Sequence, residues 1–269
     1  MKNNLSRICL FITVMLFAIT VVNADEPAPF IWRKVENHAF AEGEYLCFRI
    51  RWGLIIGGYA TLEVDSIEEI NGRPSFVLIS RAQSNKFFDV FFKVRDLHKS
   101  WVDAESICSH RFFKNLKEGR FKRWRNITYD HPAGMMKIDK GGGEIVVASI
   151  TPFVQDILSS LYLTRVSQLK LGSEFSIKVN TNGKNWPLIV KVLRKEQITI
   201  PIGKFNCVVI EPRITDETLF DAKGRIWVWM TDDARHLPVM MKSKIAVGSI
   251  TAELVDTTRL TENSEYDIK

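Results

Sequence analysis

Chemistry-bearing side chains crowd most closely in the stretch RIWVWMTDDARHLPVMMKSKI, where Asp232, Asp233, Arg235 and His236 stand between two apolar runs. Two adjacent carboxylates beside a histidine would make an acid pair with a base that titrates near neutral pH. Turn chemistry accounts for the same residues, because aspartates bond neighbouring backbone amides and Pro238 suits the start of a strand. No nucleophile elbow or metal-ligand spacing accompanies them, so the stretch reads as a hairpin and the chain as non-catalytic. Asp156 precedes Ser159 and Ser160 on a helical face, but an acid at a helix start answers to the helix dipole. His98, Cys108 and His110 lack the paired short spacing of a zinc site, and Gly141 to Gly143 lack the lysine of a phosphate loop. No metal and no cofactor is therefore expected.

Charge is concentrated between Lys114 and Arg125, where Phe121 and Trp124 are interleaved. Lys122, Arg123, Trp124 and Arg125 are the set expected to touch an anionic surface, with a charged hairpin that deters edge pairing as the plainer alternative.

The elements that position these residues are mainly strands. In GEYLCFRIRW, Leu46, Phe48, Ile50 and Trp52 fall on one face and Tyr45, Cys47, Arg49 and Arg51 on the other. Further strands are expected at Tyr59–Ile67 and Phe76–Arg81, joined by an Asn71-Gly72 turn, then in a hairpin turning at Glu118-Gly119, and in six later segments. The spacing of Val154, Ile157, Leu158, Leu161 and Tyr162 predicts a helix over Pro152 to Arg165 with Thr151 as its cap. A short helix is expected at Ser84 to Phe92, before a strand containing Trp101.

The chain starts with an export pattern. Lys2 and Arg7 precede an apolar run from Ile8 to Val22, and Val22-Asn23-Ala24 offers a cleavage site after Ala24. That run is shorter than the roughly 20 residues that span a bilayer. Cleavage lowers the formal charge from +6 to +4, because Lys2 and Arg7 leave with the segment. A charge so small does not point to nucleic acid. Residues 25–41, with Pro27 and Pro29, read as an exposed lead-in, 42–260 as a single β-rich domain and 261–269 as a polar tail. The mature protein is expected in the periplasm with no transmembrane segment. Its cysteines Cys47, Cys108 and Cys207 are too few and too scattered for a disulfide framework.

Four segments, GEYLCFRIRWGLIIGGYATLEV, TPFVQDILSSLYLTR, ITIPIGKFNCVVIEP and IWVWMTDDARHLPVMMKSKIAVGSITAEL, resemble in this order the recurring segments of the bacterial domain of unknown function family 3108. The resemblance implies an exported envelope protein built on a large curved antiparallel sheet or open half-barrel, with one or two helices against its concave face. By analogy of fold it is also similar to periplasmic lipoprotein-localisation carriers. The inner face would then hold an apolar or amphipathic ligand such as lipid, against Phe48, Ile50, Trp52, Ile157, Leu158 and Leu161. Alternatives are an envelope scaffold or assembly factor that binds protein or peptidoglycan, and a hydrolase. Within the concavity the central helix either plugs the core or lids a groove.

Overall fold

The computed structural model describes residues 29–181, 183–214, 225–245 and 248–258. The expected signal segment with its cleavage site after Ala24, and the tail 261–269, lie outside the described residues.

Alternating side chains and glycine or asparagine turns lay the strands down in order. The first meander is β1 (Tyr45–Trp52), β2 (Ile55–Ile70), β3 (Arg73–Ser84), β4 (Arg95–Asp103), β5 (Ser109–Glu118), β6 (Phe121–Asp130), β7 (Met135–Asp139) and β8 (Ile145–Ser149). The second is β9 (Glu174–Thr181), β10 (Lys184–Ile200), β11 (Gly203–Ile214), β12 (Ile226–Thr231), β13 (Pro238–Lys244) and β14 (Ser249–Asp256). Asn71 and Gly72, with φ of 51° and 75°, make the β2–β3 turn. Both central residues are left-handed, as a tight hairpin of this twist requires.

All 14 described strands form one antiparallel sheet, ordered β8-β7-β6-β5-β4-β3-β2-β1-β14-β13-β12-β11-β10-β9. The two meanders are therefore sewn together where β1 pairs with β14, Phe48 opposite Leu254 and Trp52 opposite Ile250. The sheet is curved and not closed: among the described residues β8 and β9 remain unpaired edges. The connector between them crosses the gap. Gln155 makes a single parallel bridge to Val179 of β9, and Asn185 Nδ2 donates to the Ser149 carbonyl at 3.1 Å.

Two helices accompany the sheet, α1 (Lys86–Asp89) and α2 (Ile157–Val166). α2 touches β3 and β4 in one meander and β9 at the far edge of the other. A short helix reaches strands so distant in the sheet order only because the sheet wraps around it. Its Leu158 and Tyr162 lie in the larger buried cluster with Phe40, Phe48, Leu62 and Leu78, while Leu161 and Leu163 also pack against a second cluster on β9 to β12. An amphipathic face buried this way is the main source of stability for so short a helix.

Three expectations are corrected. The helix begins at Ile157, not Pro152, because Gln155 is committed to the sheet; Asp156 is the cap, accepting from the Leu158 and Ser159 amides at 2.8 and 2.9 Å. Ile157, expected to face inward, is 53% exposed in the first turn, about 100° around the helix from buried Leu158. The described part of the lead-in is not simply exposed either. Arg33 donates to the carbonyls of Ser106 and Ile107 at 2.8 and 3.0 Å, and Ala39 and Phe40 are buried in the core. Apolar contact and charge-assisted bonds tie residues 33–40 down.

Candidate functional site

Side chains that alternate along a strand mark out the concave face, since Phe48, Leu62 and Leu78 all belong to the core that surrounds α2. Farther along the same face, toward the β1–β2 turn, the packing thins. Ile50 and Trp52 of β1, Gly58 of β2, Ala82 of β3, Ile250 of β14, Phe88 of α1 and Phe92 after it line a cavity of about 320 Å³. Its walls are almost wholly carbon. A cavity of this size lies at the lower end of small-molecule sites.

Gly58 shapes the groove by omission. A Cβ there would be driven into the carbonyl oxygen of Gln83 on β3, so only hydrogen lets the two strands approach and keeps that wall smooth. α1 roofs the groove. Asn85 caps it by accepting from Phe88 N at 2.9 Å, and its own Nδ2 donates to the Ile56 carbonyl at 2.7 Å. Asp89 binds Arg95 of β4 at 2.6 Å, anchoring the other end. These bonds place Phe88 and Phe92 in the wall of the groove, while Phe91 stays 74% exposed with its ring 5.7 Å from that of exposed Phe87.

Of the six side chains expected to line a ligand space, Ile50 and Trp52 stand in the wall of this cavity, with Trp52 partly exposed. Phe48, Leu158 and Leu161 are instead packed in or against the core deeper in the concavity, and Ile157 faces out. Thus α2 is a plug where it lies, and the open groove is beneath α1. Helical spacing had no means of showing this, because Phe88 and Phe92 enter the groove from a helix of 4 residues and the turn after it.

The basic set is divided by the pleat of β6. Arg123 and Arg125 share a face with Ile127, a core residue, whereas Lys122 and Trp124 are on the other side. Trp124 meets Phe113 edge-on at 5.8 Å there, and Lys122 stands opposite Lys117.

At the opposite end of the sheet lies a polar cavity of about 510 Å³, with Trp32, Arg73, His110, Tyr129 and His131 in its walls. Asp103, buried and bonded to two residues of this lining, is held 3.0 Å from His110 Nε2 and bonded to Arg73 and to Ser106 Oγ. Burial pushes that carboxyl up, but the bonds from His110, Arg73 and Ser106 outweigh it and hold it well below the usual carboxylate range. Asp156, wholly buried, keeps a raised pKa because desolvation exceeds the help of Ser100, Ser109 and two amides. The hydroxyls of Ser106 and Ser109 are both spent on carboxylates, and burial with the nearby Asp103 charge pushes the Cys108 thiol up to about 12. Such a network binds elements together; it offers no activated nucleophile. Among the described residues no three His, Cys, Asp or Glu gather as metal ligands would, and the three cysteines are buried and unbridged.

The Asp232 stretch is a hairpin between β12 and β13. Asp233 Oδ1 accepts from Thr231 Oγ1 at 2.7 Å and Arg235 N at 3.0 Å, while Asp232 pairs with Lys195 at 2.8 Å. His236 turns its Nδ1 to the carbonyl of Arg165 at 2.7 Å.

The model of the family described as "Protein of unknown function (DUF3108)" matches residues 47–255. The chain belongs to the DUF3108 family. Its matched region runs from β1 to β14 and contains both helices, the groove and the polar cavity's lining apart from Trp32. This DUF3108 chain is similar to a crystal structure of a β-barrel-like protein of domain of unknown function DUF1849 from Brucella abortus, with 10% identity, TM-score 0.50 and coverage of 83% of this chain and 97% of that one. At that identity the likeness shows the fold alone. A candidate lipoprotein from Parabacteroides distasonis aligns at 12% identity and TM-score 0.35, covering 85% and 98%. A candidate exported protein with YmcC-like fold from Bacteroides fragilis aligns at 11% and 0.30, covering 84% and 97%. No curated protein matches the chain. Among the described residues no helix is long and apolar enough to cross a membrane.

Proposed function

We propose that this DUF3108 protein is a non-catalytic exported envelope protein that holds an amphipathic molecule such as a lipid in the open end of its concavity. The observation that carries this reading is the groove of about 320 Å³ under α1, apolar on nearly every side and left unfilled because α2 occupies only the other end. Apolar area removed from water there favours binding by about 25 cal/mol per Å². The export pattern before Asp25 supports a periplasmic location.

A fluorescent fatty acid titrated into the exported protein tests the reading. Saturable uptake is expected from the wild type, with at least a fivefold loss in Ala82→Phe, which fills the groove, at an unchanged melting temperature. Absence of uptake by the folded wild type overturns it. The exposed Phe87 and Phe91, with ring centres 5.7 Å apart, favour a second reading, a scaffold that docks envelope protein on this rim. That reading expects Phe91→Asp to abolish partner capture while fatty-acid uptake is unaltered.

A further inference from the structure

A second concavity opens beside the apolar groove. Lys114, Arg123, Arg125 and Lys140 surround a pocket of about 330 Å³ whose floor is Ile127 and Ile138. Both isoleucines belong to the core, so the four cations point into the curved side of the sheet. The strand pairing connects this pocket to the groove. Arg125 stands opposite Lys114, Lys114 opposite His98, and His98 opposite Ser80, with no register shift between them. Ala82, a wall of the apolar groove, is two residues beyond Ser80 and therefore on the same face. From β3 to β6 is three strand spacings, roughly 14 Å.

Four cations line this pocket. Lys140 pairs with Glu144, and Arg125 donates to the Trp124 carbonyl at 2.8 Å. Arg123 lies 4.9 Å over the Phe121 ring. Asp96, between the two pockets, accepts from the Lys117 amide at 2.9 Å. Lys114 and Arg125 are like charges directly opposite each other in the sheet, and a bound anion would relieve their repulsion. Solubility does not need cations on this side, since Lys117 and Lys122 already charge the outer face of the same hairpin.

We infer that Lys114, Arg123, Arg125 and Lys140 seat the anionic headgroup, a phosphate or carboxylate, of an amphiphile whose chain lies in the neighbouring apolar groove. The inference rests on the groove being the chain-binding site, and it selects anionic over neutral lipids. Two guanidinium groups supply the paired donors that match such oxyanions, and two ammonium groups add point charge.

Fluorescent phosphatidic acid and the corresponding uncharged diacylglycerol, titrated separately in low salt, provide the test, with inorganic phosphate as a third ligand. Wild type is expected to bind the acid at least tenfold more tightly. The double variant Arg123→Gln, Lys140→Gln is expected to lose most of that preference while its affinity for diacylglycerol stays the same. Lys117→Gln, Lys122→Gln on the outer face should keep the preference. Equal wild-type affinity for the two lipids would overturn the headgroup site and leave the groove intact, whereas binding of neither would remove both. Inorganic phosphate binding as tightly as the lipid, or loss of preference in the outer-face variant, would also overturn it, as a free-anion site or a general surface field.

Discussion

Arg165 of α2 and Glu44, just before β1, form a forked ion pair, with Nη1 to Oε1 at 2.6 Å and Nη2 to Oε2 at 2.8 Å. The guanidinium is fully buried, donates also to the Ala39 and Arg235 carbonyls, and lies 5.2 Å from the Tyr162 ring centre. One side chain thereby joins the helix, the lead-in, β1 and the Asp232 hairpin. Removing one partner of a buried pair strands the other, so Glu44→Ala is expected to cost about 3 to 5 kcal/mol. Arg165→Lys should cost a comparable amount because an ammonium cannot span the same four acceptors. Urea midpoints of the two variants check this; a loss under about 1 kcal/mol would contradict it.

The inner stripe of α2 predicts unequal sensitivity in neighbouring residues. Leu158→Ala, which opens a cavity in the core, is expected to cost about 2 to 5 kcal/mol. Ile157→Ala, half out in solvent, should fall within about 0.5 kcal/mol of wild type. Thermal unfolding of the pair distinguishes the observed orientation from the one in which Ile157 faces inward.

Stability should fall as pH is lowered from about 6.5 to 4. Burial pushes the His131 pKa down to about 4, against a partial rise from its contact with the Ser109 carbonyl, so the unfolded chain takes up this proton first. A folded value below the unfolded one leaves the contribution complete above about pH 6.5 and lost on the way to 4, on the order of 3 kcal/mol in all. His98, also lowered by burial, acts in the same sense, whereas Asp156, with its raised value, opposes. The decisive quantity is therefore the difference in pH dependence between wild type and His131→Gln, which should be flatter over this window. Parallel curves would show that His131 is not responsible.

Gly58→Ala should damage fold and groove together. Its methyl group meets backbone rather than a movable side chain, so β2 and β3 must separate at a cost of about 1 to 3 kcal/mol. Reduced fatty-acid uptake should accompany the lower melting temperature. An unchanged protein would mean that the strands yield without penalty.

Much of the sheet is legible in the sequence because a period of two survives wherever one face is buried, as Phe48, Ile50 and Trp52 show. Asn71-Gly72 fixes its hairpin by local chemistry alone. The start of α2 was obscured by Thr151-Pro152, a good local cap that lost to the long-range bridge between Gln155 and Val179. Arg165 near a helix end looks like an ordinary partner of the dipole, and nothing local announces Glu44 as its mate. Alternation separates Arg123 and Arg125 from Lys122 and Trp124, yet only packing against Ile127 shows which pair is inside.

The seam between β1 and β14 has a kinetic side. Each meander can grow strand by strand as the polypeptide emerges, but Cys47 must await Asp256 before the two halves join. Closing so large a loop is slow, as in other topologies dominated by distant contacts. Until then β1 is an open edge of a half-made sheet, a template for pairing with another chain. Folding of this protein therefore contains an interval of aggregation risk that ends only when β14 arrives.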